Sequence, residues 1–216
     1  MGKEKMGMRI GESVFSIAYL IFDLIVGIIF LNNGHNELFL LYGIMAFVLG
    51  FGDAFHLVPR VVKNIKGETE KVKWWMNFGL IVTSITMTIF YIILFYIWAI
   101  QYSGKISNII PILIWLTSCI RIILCLLPQN NWFTGGNKKM SFYRNGVFAI
   151  TGLTEVVLFM MLGGTYGMTT AICILLSCIF YMPVALFGKN NPKLGMLMMP
   201  KTIMYIIMLS LGLSLL

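Results

Sequence analysis

Three ionisable residues lie at helical spacing in the segment LGFGDAFHLVPR, residues 49–60. Asp53, His56 and Arg60 follow one another at intervals of three and four residues, so one face of a helix would carry all three. A carboxyl group can act as an acid or a base, an imidazole can direct a water molecule, and a guanidinium group can hold a phosphate. The segment therefore indicates proton-transfer chemistry on an anionic substrate, with Asp53 and His56 as candidate catalytic residues.

The residues before this segment indicate where such a site would lie. Residues 37–48, ELFLLYGIMAFV, are nearly all apolar, so the three polar side chains stand within a membrane span or at its edge. An ionisable group in hydrocarbon is costly and faces the protein interior or a cavity far more often than lipid. Gly43, Ala46 and Gly50 continue the same helical stripe and would let a neighbouring helix approach closely. We therefore expect Asp53 to point into the protein.

The composition places the whole chain in the membrane. Hydrophobic residues make up 59% of the 216 residues and charged residues only 11%, which is far outside the range of soluble proteins. Apolar stretches long enough to cross a bilayer predict an all-α bundle of about seven helices, which forms a single transmembrane domain over residues 1–216. The predicted spans are residues 13–31, 37–58, 76–100, 107–127, 145–163, 167–187 and 195–216.

The distribution of basic residues predicts the orientation. Thirteen of the sixteen Lys and Arg residues fall in segments on one side, whereas Lys105 alone falls on the other. Because Lys and Arg collect on the cytoplasmic side, we expect a protein of the cytoplasmic membrane with its N-terminus in the cytoplasm and its C-terminus outside. Residues 1–12 would form a cytoplasmic leader, and residues 59–75 and 128–144 would form cytoplasmic loops. Every basic cluster flanks a span, so the lipid bilayer rather than nucleic acid is the expected partner.

Four further ionisable residues fall within the predicted spans. Asp23 and Glu155 lie near mid-membrane, where a short carboxyl side chain must be paired, protonated or beside a wet cavity. Arg121 could reach the lipid headgroups or form an inward ion pair, and the sequence fits both placements equally. Lys201 follows Pro200, which could start the last helix or kink it. An interfacial position is favoured for this lysine.

The ionisable residues of the spans lie at similar depths in the membrane when depth is measured from the cytoplasmic end of each helix. Asp53, Arg121 and Lys201 come about 10 Å into the span, and the two mid-membrane acids come about 16–18 Å in. The counts predict a polar cavity that opens to the cytoplasm or the inner leaflet and holds an anionic lipid headgroup. Buried ion pairs that only fix the helix arrangement are the alternative. The candidate substrate-binding residues are Arg60, Arg121, Asp23, Tyr181, Ser177 and Lys201.

The sequence offers no pattern of metal ligands. His56 is the one histidine that lies at the candidate site, and the chain contains no HxxxH or HExxH motif. Because a zinc site usually has three protein ligands, we expect neither a metal ion nor another cofactor.

An internal repeat can be aligned between the two halves of the chain. The YG pair at residues 42–43 precedes Pro59 by the same distance as the YG pair at residues 166–167 precedes Pro183. The alignment predicts a 3+1+3 pseudo-repeat of helices, with the site between the halves.

The GDAFHLVPR segment resembles the motif of the YhhN-like integral membrane family, the lysoplasmalogenases. In that motif Gly-Asp is followed by apolar residues and Pro-Arg at the end of an early helix, which matches Gly52, Asp53, Pro59 and Arg60. The next helix is also similar, with Gly79 and Ser84 five residues apart before the aromatic run TIFY. Ser177 stands where the family places a serine, but Cys178 follows it instead of an acid or Asn.

The resemblance implies hydrolysis of the vinyl-ether bond of lysoplasmalogens, which gives a fatty aldehyde and a glycerophospho-headgroup. It implies an acid or base role for Asp53. Because the family's second acid is missing, Glu155 or Asp23 would have to supply its role, and Arg60 with Arg121 would bind the phosphate. We therefore expect an integral membrane hydrolase that acts on a membrane lipid.

A proton-linked transporter or permease of a small or lipid-like substrate is the alternative function. Buried Asp23, Asp53 and Glu155, together with repeated halves, are equally typical of such proteins. Proton flux in vesicles would distinguish this alternative from product formation in detergent.

Overall fold

The computed structural model describes residues 3–33, 36–188 and 191–216, with the side chains of all of these except residues 3–6, 8 and 192. The described chain forms seven α-helices and contains no β-strand. The helices are α1 (Lys3–Asn32), α2 (Glu37–Lys66), α3 (Glu70–Gln101), α4 (Ile109–Leu126), α5 (Lys138–Leu162), α6 (Gly164–Phe187) and α7 (Met198–Leu213). Two short 3-10 helices, Pro128–Asn130 and Pro192–Leu197, precede α5 and α7.

Each of the seven described helices is long and apolar enough to cross a membrane. The predicted multi-pass helical fold is therefore confirmed. The outside of the bundle carries large apolar side chains, such as Ile21, Leu24 and Ile28 of α1. Lipid tails are as apolar as these side chains, so the outer faces need no further helix to cover them.

The basic end of the bundle is the end at which α1, α3, α5 and α7 begin and α2, α4 and α6 finish. Contacts between helix starts and helix ends hold it together. Glu12 near the start of α1 forms an ion pair with Arg60 near the end of α2, at 2.5 Å. Ser141 near the start of α5 donates a hydrogen bond of 3.0 Å to the carbonyl of Ala185 near the end of α6. Consecutive helices therefore run antiparallel at this end.

Helical structure extends into the predicted loop of residues 59–75, which is therefore shorter than predicted. α2 runs through Pro59, and only three residues separate α2 from α3. Gly67, with a φ of 91°, ends α2, and Thr69 caps α3 by accepting a hydrogen bond from the Val72 amide. Proline removes a single helical hydrogen bond, whereas Arg60, Lys63 and Lys66 after it favour helix.

The other two polar segments at the basic end are also more helical than predicted. α1 begins at Lys3, so most of the predicted leader, residues 1–12, is helical. α5 begins at Lys138, so the predicted loop of residues 128–144 ends early. Asn137 caps α5 by accepting hydrogen bonds from two amides of its first turn. The charged residues therefore stand on helical extensions beyond the apolar spans.

α2 and α3 pack backbone against backbone near Pro59. Because proline has no N–H, the carbonyl of Phe55 one turn earlier has no helical partner. Gly79 of α3 packs directly against that carbonyl, and a Cβ atom on this glycine would overlap it. One turn further along α3, Thr83 donates a hydrogen bond of 3.0 Å to the carbonyl of Gly52. These contacts fix the rotation of the α2 segment that carries the candidate site.

On another face α2 packs its small residues against α1, as the sequence predicts. Leu31 of α1 covers Gly43, and Asp23 of α1 covers Gly50 with its Cβ atom 2.8 Å from the place where a Cβ of that glycine would stand. Ala46 is fully buried within the same stripe. The small residues thus allow the two helices to approach closely.

A hydrogen-bonded aromatic cluster lies at the end of the bundle opposite the basic end. The hydroxyls of Tyr42 in α2 and Tyr166 in α6 are hydrogen-bonded to each other, and Gln101 of α3 donates to the Tyr166 hydroxyl at 3.2 Å. Trp98 of α3 donates to the carbonyl of Leu158 in α5. The two tyrosines occupy equivalent positions in the sequence alignment of the two halves. The 3+1+3 repeat itself stays a prediction.

The contact between α2 and α3 predicts that Gly79→Ala destabilises the protein. The new methyl group would overlap backbone atoms of Phe55, which cannot move aside as a side chain could. We expect the free energy of unfolding to fall by about 1–3 kcal/mol. Thermal unfolding of the purified protein in detergent, followed by intrinsic fluorescence, measures the change.

Gly146→Ala is the matched control for this substitution. Gly146 lies inside α5 and has open space where a Cβ would stand, so alanine should stabilise the helix by about 0.5–1 kcal/mol. Equal melting temperatures for the two variants would contradict the proposed backbone contact.

Candidate active site

An inner cavity of about 110 Å³ is lined by residues of the six helices α2 to α7. Asp53, His56 and Arg60 all line it, so the predicted polar stripe of α2 does face the protein interior. Tyr19 of α1 is buried and donates a hydrogen bond of 3.0 Å to Oδ2 of Asp53. The phenol fixes one carboxylate oxygen, and the carboxyl group remains accessible from the cavity.

Two buried cations line the inner cavity beside this carboxyl group. The guanidinium carbon of Arg121 in α4 lies 3.2 Å from the ring centroid of Phe148 in α5. Arg121 is 2% exposed, and its Nε and Nη1 atoms have no hydrogen-bond partner among the described residues. The cation–π contact lowers the cost of burial but leaves the donors unsatisfied. Arg121 therefore faces inward, and the described structure gives it no ion pair.

Lys201 is the second cation, and it is buried rather than interfacial. It is 4% exposed, and its Nζ atom lies 4.8 Å from the ring centroid of Tyr205 and 5.3 Å from that of Tyr181. Pro200 belongs to the first turn of α7, where the missing N–H is tolerated. The 3-10 helix Pro192–Leu197 precedes that turn. The favoured interfacial position was wrong because this additional helix places the lysine within the bundle.

A wider vestibule of about 340 Å³ continues from the inner cavity at the basic end. The two spaces share His56, Arg60 and Tyr181 as lining residues, so they meet at these side chains. Lys138 and Arg144 of α5 line the vestibule but not the inner cavity. The volume falls within the range of small-molecule sites, about 300–1,000 Å³.

The segment between α4 and α5 holds Arg144 in place. Asn130 is fully buried, and its Nδ2 atom donates to the carbonyls of Leu124 and Leu127 at 2.6 and 2.8 Å. Its Oδ1 atom accepts a hydrogen bond from Arg144 at 2.5 Å, and the guanidinium carbon lies 4.0 Å from the ring centroid of Trp132. One buried amide thus caps the end of α4 and orients an arginine of α5.

His56 makes a single contact that bears on its role. Its Nδ1 atom lies 3.4 Å from the carbonyl oxygen of Met76 in α3. Because a carbonyl oxygen only accepts, this contact requires the proton on Nδ1 and leaves Nε2 of a neutral ring as an acceptor. The histidine is therefore suited to accept a hydrogen bond from a water molecule.

A small side cleft of about 40 Å³ lies between α1 and α7. It shares Leu57, Arg60 and Met198 with the inner cavity, and Phe15 of α1 and Met199 line it further out. The cleft therefore adjoins the inner cavity on the side of α1 and α7. Both residues of the ion pair between Glu12 and Arg60 also line it.

The structure separates Glu155 from the other candidate catalytic residues. Its carboxyl group is fully buried without a hydrogen-bond partner among the described residues, and it does not line the inner cavity. Two helical turns, about 10 Å, separate it from Phe148 along α5. Between them Thr151 donates a hydrogen bond of 2.9 Å to Thr117 of α4. The structure shows no contact between Glu155 and Asp53 among the described residues, so their expected partnership stays a prediction.

Two of the candidate substrate-binding residues also lie outside the inner cavity. Asp23 is fully buried against α2, and neither of its carboxylate oxygens has a hydrogen-bond partner among the described residues. Ser177 is buried, donates to the carbonyl of Ile174 at 2.9 Å and lies 3.5 Å from the Tyr91 hydroxyl. The remaining candidates, Arg60, Arg121, Tyr181 and Lys201, all line the cavity.

Sequence reasoning missed the contributions of α1 and α5 to the site. Arg144 was assigned only to the topology, and Tyr19 was not considered. A signal for α5 was present, because Ser141, Asn145 and Phe148 recur at intervals of three or four residues and so mark one face. The structure buries Asn145 and Phe148 on that face, and Tyr181 donates to Asn145 at 2.9 Å.

No group of three or more His, Cys, Asp or Glu side chains that could hold a metal ion occurs within the described part of the chain. No protein-family model matches the chain, and no curated protein or solved structure matches it.

The unsatisfied guanidinium predicts that Arg121→Met stabilises the protein in phosphate-free buffer. Methionine keeps much of the side-chain length and removes a buried charge whose donors are unpaired. We expect the melting temperature to rise by at least about 2 °C, which corresponds to roughly 1 kcal/mol for a chain of this size. Differential scanning fluorimetry in detergent measures the shift.

Arg144→Met is the matched control, because this arginine already has a hydrogen-bond partner and an aromatic partner. Its replacement should lower the melting temperature. If Arg121→Met lowers the melting temperature by as much as the control, Arg121 is a structural residue and not a vacant anion contact.

Proposed function

We propose that this chain is an integral membrane hydrolase that acts on a lipid and cleaves the vinyl-ether bond of lysoplasmalogens. One observation carries the proposal: the carboxyl group of Asp53 shares a cavity with the buried cations Arg121 and Lys201. A proton donor and an anion site thus stand side by side. The resemblance of GDAFHLVPR to the lysoplasmalogenase motif supports the choice of bond.

The proposed orientation puts the basic end in the cytoplasm, with the C-terminus outside the cytoplasmic membrane. The excess of Lys and Arg at this end supports it. A lysolipid of the inner leaflet would then enter with its headgroup in the inner cavity and its tail along the side cleft lined by Phe15 and Met199. The anionic surface of the inner leaflet would also favour the basic vestibule.

The reaction consumes one water molecule and needs one acid. Asp53 in its acid form would transfer a proton to the vinyl carbon distal to the ether oxygen, leaving a positive charge shared by the adjacent carbon and the oxygen. Water would add to that carbon, and the resulting hemiacetal would break its C–O bond to release the aldehyde and the glycerophospho-headgroup. The proton lost by water returns to Asp53, so one carboxyl group can serve both steps.

The other residues would position the reactants. His56, with Nε2 free to accept, would orient the attacking water. Arg121 and Lys201 would hold the phosphate, because Arg60 is already paired with Glu12. Tyr19 would keep the Asp53 carboxyl in place through its hydrogen bond. Glu155 has no role in this scheme because it does not line the cavity.

The scheme predicts that Asp53→Asn reduces aldehyde release from lysoplasmalogen by about 100-fold or more, because the variant lacks the acid. The rate is measured with purified protein by reduction of the aldehyde with a coupled dehydrogenase. Glu37→Gln is the matched control, because Glu37 lies in the first turn of the same helix at the end opposite the cavity. Its rate should equal that of the unmodified protein.

Glu155→Gln tests the division of roles between the two acids. The structure predicts a rate within about threefold of the unmodified protein, since the proton transfers proposed here do not involve this group. A loss as large as that of Asp53→Asn would contradict the single-acid scheme. Full aldehyde release by Asp53→Asn would overturn the proposed function itself.

A proton-linked carrier is the second candidate function, and one observation favours it. The carboxyl groups of Asp23 and Glu155 are fully buried without hydrogen-bond partners in the described structure, as proton-carrying acids in membrane carriers are. Proteoliposomes with an internal pH dye would report substrate-driven proton uptake. Uptake that Glu155→Gln abolishes, without aldehyde release, would support the carrier over the hydrolase.

A further inference from the structure

The inner cavity and the vestibule are lined by more positive charge than the described residues compensate, and two of these charges, Arg121 and Lys201, are buried. The basic residues that line them are Arg60, Lys138, Arg144, Arg121 and Lys201, and Asp53 is the acid among the lining residues. Glu12 forms an ion pair with Arg60. The remaining basic side chains form no ion pair with any described residue. Enclosed charge of one sign is costly, and an anionic ligand would offset it.

The inner cavity carries independent evidence of a ligand. Arg121 is 98% buried, lines the cavity and keeps two donor nitrogens without a partner. Native structures satisfy most buried donors, so an unsatisfied pair calls for a partner that comes from outside the chain. A phosphate or carboxylate would accept hydrogen bonds from Arg121 and from Lys201 at the same time.

The vestibule is a separate cationic subsite. Arg144 and Lys138 line the vestibule only, whereas Arg121 and Lys201 line the inner cavity only. Arg121 stacks on Phe148, and Arg144 stands one helical turn nearer the basic end, about 6 Å along α5. Tyr181, which donates to Asn145, stands where the two spaces meet. One anionic group would therefore contact one pair of cations, and a second group would be needed for the other pair.

We propose that the site selects a phosphorylated lipid headgroup with a second anionic group, either phosphate or carboxylate. The first phosphate binds Arg121 and Lys201 beside Asp53, and the second group binds Arg144 and Lys138 in the vestibule. A headgroup that ends in an ammonium group would place a positive charge against these two residues and is disfavoured. That the ligand is a hydrolase substrate rests on the proposed function. The two anion subsites are inferred independently of it.

Binding of two soluble probes tests the two subsites without requiring catalysis. Glycerol 1-phosphate carries one phosphate, and glycerol 1,3-bisphosphate differs from it only by the second. The dissociation constant of each is obtained from the melting temperature of the purified full chain in neutral detergent at constant ionic strength. The bisphosphate should bind at least about tenfold more tightly than the monophosphate. Equal affinities would overturn the second subsite.

Variants assign each phosphate to its subsite. Arg144→Gln should reduce bisphosphate affinity to that of the monophosphate and leave monophosphate binding unchanged. Lys138→Gln, at an exposed position where folding is not at risk, should produce a smaller loss for the bisphosphate alone. Arg121→Gln should weaken both probes. Lys105→Gln, outside the vestibule and the inner cavity, is the matched control and should alter neither. Equal losses of both probes in Arg144→Gln would contradict the assignment.

The same two headgroups on a C16 alkyl ether identify the source of the ligand. If the ligand is a lipid, the C16 alkyl group should strengthen binding of both headgroups by at least about tenfold, because the alkyl group is buried. Equal binding of the probes with and without the alkyl group would overturn the lipid assignment. If the protein binds the two headgroups with different affinities but releases no aldehyde, only the proposed hydrolase activity is contradicted. If the protein releases aldehyde but binds the two headgroups equally, only the two subsites are contradicted.

Discussion

Positive charge held within the membrane, at Arg121 and Lys201, is the constraint on which the rest of this structure depends. An arginine among apolar helices raises the free energy of the folded protein unless its charge and its donors are compensated. Here the aromatic face of Phe148 compensates only part of the charge. The close packing of α2 against α1 and α3 supports this arrangement, because it holds Asp53 of α2 in the same inner cavity. Arg121 is thus a residue at which stability and the proposed ligand binding would be opposed, as is common at functional sites.

Glycine and proline achieve that packing by backbone contact rather than by side-chain fit. Pro59 frees a carbonyl in α2, and Gly79 of α3 covers it. Gly50 does the equivalent on the other face of α2, where Asp23 lies against it. The first contact joins two backbones, whereas the second sets the side chain of Asp23 against the backbone of Gly50. Both contacts limit the rotation of α2 about its axis and so fix the positions of Asp53 and His56, which the proposed proton transfer would require.

The sequence predicted the polar face of α2 correctly and the partners of Asp53 poorly, for a physical reason. Along α2 the interval between Asp53, His56 and Arg60 sets their common direction, since helical geometry leaves no freedom there. For residues on different helices the sequence predicts only how deep each lies in the membrane. An apolar helix in lipid shows no clear sequence pattern for the face that packs against its neighbours. Glu155 has a depth compatible with the cavity but does not line it.

The ends of the helices were also predicted less well than their apolar spans. Hydropathy marks where a span leaves the apolar layer but not where the helix stops, so the helical extensions of α2 and α3 were predicted as loops. Lys201 was placed at the interface because the sequence does not reveal the 3-10 helix before it. Arg144 was treated as a topology signal because its partner Asn130 lies in a segment without regular periodicity. These contacts depend on tertiary packing, which cannot be predicted from the periodicity of apolar residues in the sequence.

Access to the inner cavity from one end is the reason for which we propose an enzyme before a carrier. A carrier must open its site alternately to both sides of the membrane. In this bundle the inner cavity connects with the vestibule at the basic end and with the side cleft. Phe90 and Tyr205, with ring centroids 5.2 Å apart, are fully buried further along their helices, and Trp98 beyond them is fully buried as well. Opening that half would require these aromatic side chains to separate and Trp98 to lose its hydrogen bond to Leu158. A substrate that enters from the leaflet and leaves as two products at the same end needs no such rearrangement.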